Sequence, residues 1–368
     1  MKKLIIYTIC ILALLQSCMD DDSLHDFNKL QINDKSKGVF IINEGNFMYG
    51  NASLSYYNIE TKQITNNVFY ESNDLPLGDV AQSMTINDSL AYIVINNSGK
   101  IYVININTYK YVGKITGLVS PRYIHFINDE KAYVTDLYSK KITIINPQSF
   151  SIIDNINVDN SETKFLQHST DQMLQYNNFL FVNCWSYDNK ILVIDTDIDE
   201  VIDSIEVAKQ PNSMVIDKNN KLWVLSDGGF ADSPYGQDTA AITKINTDNF
   251  TIEKVYKFSS LNSSPTKLKI NGSKDTLSFI YGNWGNGNIE NGGVYKMPIN
   301  SETLPNTAFI EQKTRLFYGL AIDPNNSDIY ISDAIDNCQN GYVYRYNAKG
   351  FPVDTFKVGI IPGAFCFK

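Results

Sequence analysis

From Gly38 onward the chain repeats one pattern, in which short runs of Val, Ile, Tyr and Phe are bounded by clusters of Asn, Asp, Gly and Ser. Within the runs apolar and polar positions alternate as in a strand, and no amphipathic helical stretch exceeds two turns. The body is therefore predicted to be all-β. One run recurs: Lys100–Asn105 (KIYVIN), Lys141–Asn146 (KITIIN) and Lys190–Asp195 (KILVID) are its clearest copies. Ser53–Asn58, Ala241–Asn246, Gly293–Met297 and Tyr342–Asn347 are weaker ones. The marker residues Leu54, Ile101, Ile142, Ile191, Ile242, Val294 and Val343 follow one another at steps of 41–52 residues. Seven copies at that spacing match four-stranded propeller blades of about 40–50 residues. The predicted fold is a seven-bladed β-propeller.

The remaining strands keep the same phase. Taking the marker run as strand c, an apolar strand b precedes each one, as in Val39-Phe-Ile-Ile, Ala91-Tyr-Ile-Val and Leu222-Trp-Val-Leu. Before that lies an innermost strand a, often opened by proline at Pro121, Pro211 and Pro265. Proline suits a strand's first residue because it has no N–H for the ladder. Residues 38–73 supply strands b, c and d but no strand a, whereas Pro362–Phe367 has the strand-a pattern and no blade of its own. The C-terminal strand is thus predicted to complete blade 1 and close the ring, removing open edges. Residues 38–368 form one propeller with nothing left over for a second domain.

The first residues read as an address. Lys2 and Lys3 precede an apolar run from Leu4 to Leu15, which at about 1.5 Å per residue is too short for a ~30 Å hydrocarbon core. It has the build of a signal peptide, residues 1–17. Leu15-Gln16-Ser17-Cys18 resembles a bacterial lipobox, which makes Cys18 the expected site of lipidation. Met19-Asp20-Asp21-Asp22 resembles the surface-export signal of Bacteroidota lipoproteins, so the expected location is the outer membrane, facing outward. Residues 18–37 are expected to be a lipidated acidic tether.

Composition narrows the function classes. At 43% hydrophobic and 19% charged the chain is not disordered, and its formal charge of −9 argues against nucleic acid as partner. With 3 histidines, and no nucleophile elbow, His-x-x-x-His, Cys-x-x-Cys or Walker loop, neither an enzyme nor a metal site is expected. His125, mid-strand, reads as structural, and Asp323–Asp328 as a turn. Cys184, Cys338 and Cys366 are expected to be unpaired.

In a propeller the b–c and d–a connections share one face, around the mouth of the axial channel. The b–c connections here are long and aromatic, carrying Phe47, Tyr49, Tyr138, Trp185, Tyr187, Asp227, Phe230, Tyr235 and Trp284. The d–a side adds Arg122, His168 and Tyr318, with Tyr123, Asn212 and Phe317 beside them. Rigid aromatic faces interleaved with Asn, Asp and Ser suit a large amphipathic small molecule or a sugar. Trp223, alternating with Leu222 and Val224, reads as core.

The lipobox, the acidic triplet and the blade consensus together resemble the YncE-like propeller lipoproteins of Bacteroidota, with the cobalamin-capturing BtuG proteins as the nearest functional relatives. The resemblance implies capture of a corrinoid (vitamin B12) and its transfer to a TonB-dependent outer-membrane transporter. No cofactor is implied beyond cobalamin as cargo. A surface propeller that binds a glycan or another protein is the alternative.

Overall fold

Among the described residues the repeated apolar runs form strands that group into seven antiparallel four-stranded sheets. A two-residue pair, Asp159–Asn160 with Leu166–Gln167, stands apart from them. The computed structural model describes residues 34–160, 166–285 and 288–368, with residues 166, 167, 283–285 and 288–290 described by backbone alone. The predicted seven-bladed propeller is the fold. Blade 1 comprises Pro362–Phe367 (a), Gly38–Asn43 (b), Ser53–Asn58 (c) and Gln63–Thr65 (d). Val39 pairs with Phe367 and Ile42 with Ala364, so the two ends of the chain close the ring, as the sequence predicts. One short helix, α1 (Val68–Asn73), lies between blades 1 and 2. The end of the expected tether is bound to the ring: the Asp34 N–H donates to the Asn107 carbonyl at 2.9 Å, and Tyr56 Oη to the Ser36 carbonyl at 2.8 Å.

The core is divided among seven clusters, each at one blade–blade seam. This follows from the two-residue period of strands buried on both faces. In Gly38–Asn43, Phe40 and Ile42 face blade 2, while Val39 and Ile41 face blade 7. All six residues are buried, so the strand reads as a continuous apolar run. Outer strands such as Tyr111–Thr116 bury only alternate positions.

Polar side chains near the ends of four b strands bind their blade to the next. Asn96 Nδ2 donates to the Pro121 carbonyl (3.1 Å), Thr135 Oγ1 to that of Asp171 (2.6 Å), Asn183 Nδ2 to that of Pro211 (2.5 Å) and Ser332 Oγ to that of Pro362 (2.5 Å). The prolines that open strands a thus keep one backbone group, a carbonyl, and it is engaged across the seam. Trp223 is fully buried, and its indole donates to Asp217 at 2.8 Å. His125 Nε2 lies 2.9 Å from Gln175 Oε1, and Cys184, Cys338 and Cys366 are all free thiols.

Candidate functional site at the mouth of the axial channel

In all seven blades the a–b ladder slips register near the start of strand a. Such a bulge leaves residues unpaired and re-aims their side chains. The residues at the slips include Gln82, Arg122, Asp171, Asn212, Lys267, Tyr318 and Gly363, one from each blade. Six of them, all but Gly363, line a single cavity of about 410 Å³ at the channel mouth. Glu44, Trp185 and Asp227, from the connections that follow strands b of blades 1, 4 and 5, complete its upper wall, and Tyr123, Phe317 and Lys269 join them. A second cavity of about 200 Å³ continues down the channel past Lys267 and Lys269 to Phe365 and Phe367.

The mouth is charged and largely self-paired. Arg122 Nε donates to Asp171 Oδ1 at 2.6 Å and its Nη1 to Gln82 Oε1 at 2.7 Å, while its guanidinium lies 5.3 Å from the Trp185 ring. Asp227 accepts from Asn212 Nδ2 at 3.3 Å and from the Gly229 N–H at 2.9 Å, and Trp185 stands with it in the cavity wall. Burial nevertheless holds the Asp227 carboxyl above its ordinary range. Opposite this arc, Tyr318 Oη donates to Glu44 Oε2 at 2.8 Å, and Lys267 Nζ lies 5.4 Å from the Tyr318 ring. Burial raises Glu44 as well, against the opposing pull of Lys267, Tyr318 and Arg122. Burial, and then the neighbouring Lys267 charge, push Lys269 down to about 8. These are fixed donors, acceptors and aromatic faces suited to holding a polar ligand.

Of the residues expected from the sequence, the structure brings Arg122, Trp185, Asp227 and Tyr318 together in this cavity. Tyr187, Phe230 and Tyr235 form a separate aromatic group, with Tyr187 centred 6.0 Å from Phe230 and 5.1 Å from Tyr235. Phe47, Tyr49 and Tyr138 stand out into solvent at 62, 78 and 63% exposure. His168 lines a lateral groove with Val158, Leu192 and Val201, away from the mouth. Trp284 is placed differently from the expected loop: strand b of blade 6 runs through Thr276–Gly285 and pairs with Asn288–Pro298, so residue 284 sits in an extended hairpin opposite Ile289. The Trp284 side chain, Cys18 and the acidic triplet lie outside what is described.

Glu44, Gln82, Asp171, Lys267 and Lys269 were not singled out from the sequence. The signal was the register of the strand-a runs, where the residues after Ala81, Pro121, Thr170, Pro211 and Phe317 occupy equivalent positions. One cluster with metal-ligating chemistry joins residues that no sequence spacing links: ligand atoms of His168, Cys184 and Asp188 lie within 4.8 Å of one another.

The family described as a domain of unknown function, DUF5074, matches residues 37–366. No curated protein matches the chain. Among solved structures, a quinonprotein alcohol dehydrogenase-like protein from Bacteroides thetaiotaomicron is 18% identical, with a TM-score of 0.67 over 90% of this chain and 78% of that one. Hydrazine synthase from Kuenenia stuttgartiensis is 15% identical, with a TM-score of 0.59 over 77% of this chain and 88% of its own. Apo AztD from Citrobacter koseri is 10% identical, with a TM-score of 0.54 over 90% and 98%. At these identities the likeness is one of fold, and proteins named for enzymes stand beside others on the same scaffold.

Proposed function

The chain belongs to the DUF5074 family, and from that premise we propose that it is a non-enzymatic capture propeller. It is displayed on the outer membrane through lipidated Cys18, holds a corrinoid over the axial mouth, and hands it to a TonB-dependent transporter. The observation that carries this reading is the mouth itself, where every blade except blade 1 contributes a bulged strand-a residue and blade 1 contributes Glu44. Arg122 is already locked to Asp171 and Gln82, and Asp227 to Asn212, so little order is lost when a ligand arrives. A cavity of about 410 Å³ lies toward the small end of ligand sites, which span about 300–1,000 Å³. A corrinoid therefore rests its ring on the rim and places only polar substituents inside, where Asn212 and Gln82 offer amide partners.

Calorimetry with cyanocobalamin tests this. Binding at micromolar affinity or tighter is expected, and Trp185→Ala weakens it about 10–100-fold, the loss of one aromatic anchor. Absence of heat and of any spectral change at micromolar protein rejects the corrinoid. Protease shaving of intact cells tests surface display, since a periplasmic protein is spared.

The exposure of Phe47, Tyr49 and Tyr138 outside the cavity favours a second reading, a surface that docks a glycan or a protein. Triple replacement by Ser distinguishes the two, because it leaves cobalamin affinity unchanged if those rings serve a different partner.

A further inference from the structure

Away from the mouth, three different donor types meet at the seam between blades 3 and 4. Cys184 ends strand b of blade 4 (Phe179–Cys184), Asp188 follows four residues later in the b–c connection, and His168 ends the crossing from blade 3. We propose that His168, Cys184 and Asp188 bind a borderline-soft divalent cation, zinc before others.

The donor set is the first argument. One thiol sulfur, one imidazole nitrogen and one carboxylate oxygen form a set that zinc accepts, whereas calcium and magnesium take oxygen. Geometry is the second. Their ligand atoms lie within 4.8 Å of one another, and His168 Nδ1 is 2.6 Å from Asp188 Oδ2. Tetrahedral zinc with bonds of about 2.0–2.3 Å separates its ligands by roughly 3.3–3.6 Å. The site forms if the His–Asp pair opens by less than about 1 Å while the thiol closes by at most about 1.3 Å. Rotation of side chains on a fixed backbone can supply this.

The backbone is fixed. His168 N–H donates to the Val158 carbonyl and its own carbonyl accepts from Thr170, both at 3.0 Å, and the Asp188 carbonyl accepts from Gln210 at 2.8 Å. Cys184 is fully buried, Asp188 keeps 8% of its side chain exposed and His168 keeps 17%. The exposed side of His168 lines the lateral groove of about 360 Å³, beside Asp159 and Asp203, which gives a cation a route in and leaves a fourth position for water. An ion here ties the connection bearing Trp185, flanked by Cys184 and Asp188, to the crossing between blades 3 and 4.

Cobalt(II) serves as the spectroscopic probe. The purified protein is expected to bind one equivalent with an intense near-ultraviolet thiolate-to-cobalt band, which zinc displaces. Cys184→Ser abolishes the band and weakens zinc by more than about 100-fold, beyond what outer-shell changes achieve. His168→Gln and Asp188→Asn, which retain a hydrogen bond between the two side chains, weaken zinc as well and stand in if Cys184→Ser does not fold. Cys338→Ser, on an exposed thiol, leaves everything unchanged. Absence of a thiolate band in the parent protein, or a band that persists in Cys184→Ser or in both His168→Gln and Asp188→Asn, overturns the proposal.

Discussion

The Tyr318 hydroxyl donates to the Glu44 carboxylate at 2.8 Å, joining blade 7 to blade 1 at the seam where the ring closes. Glu44 is held above the ordinary carboxylate range mainly by burial. A carboxyl whose folded pKa is raised binds more protons folded than unfolded, so stability falls as pH rises from about 4.5 through the folded value. Glu44→Gln keeps an acceptor for Tyr318 and removes the charge. The variant is expected to melt above the parent at pH 7, with the gap closing as pH falls toward 4.5, in thermal unfolding across that range. A variant less stable than the parent at pH 7 refutes the burial argument.

Lys269 gives the opposite window. Its folded pKa, near 8 rather than 10.5, means that the unfolded chain binds the extra proton between those values, and stability rises with pH across them. Lys269→Met removes a cation held beside Lys267 and is expected to stabilise at pH 7 by at most about 3 kcal/mol. The advantage shrinks from pH 8 toward 10.5. Urea unfolding at pH 7 and pH 10 measures both ends, and an advantage that is constant with pH would assign the effect to packing alone.

The blade count and the closure were legible because each seam needs both faces of strand b apolar, and runs such as Phe40–Ile42 and Tyr92–Val94 announce that at every repeat. The gathering of the b–c and d–a connections around one mouth was legible too, since connection polarity is set by topology. What stayed hidden was inward aim. Phe230 and Tyr235 share a connection with Asp227, yet only Asp227 turns into the cavity. Gln82, Asp171 and Lys267 look like ordinary strand residues; a register slip with the neighbouring strand sends them inward, and that slip is a property of the pair. His168, Cys184 and Asp188 meet only through blade packing, so no spacing rule finds them.

Trp223 tests the seam between blades 5 and 6. Its ring is stacked 5.9 Å from Tyr256 and its indole N–H donates to buried Asp217, which also accepts from the backbone of Asn219 and Lys221. Trp223→Phe leaves space and removes one of these three donors, so a loss of about 2–4 kcal/mol is expected in urea unfolding. A change below about 0.5 kcal/mol, the range of a surface substitution, would show that the seam repacks freely.

The closing strand provides the last test. Removing residues 362–368 strips the pairing of Val39 with Phe367, Phe40 with Cys366 and Ile41 with Phe365, and takes two rings from beside Tyr330, Phe365 at 6.3 Å and Phe367 at 5.5 Å. It also leaves Gly38–Asn43 as an unpaired apolar edge, the kind that recruits other chains. Full burial of two phenylalanines would be worth about 3–6 kcal/mol. The partly buried Phe365 and Phe367 contribute less than that, still a sizeable share of a domain stability of roughly 5–15 kcal/mol. The truncated chain is expected to lose its cooperative melt and to elute as aggregate in size-exclusion chromatography. Adding a peptide of residues 359–368 restores a monomer if the vacant edge is the cause, because the peptide supplies the same ladder in trans. A truncated chain that is monomeric and melts cooperatively at the parent's temperature would show that the ring holds without its closing strand.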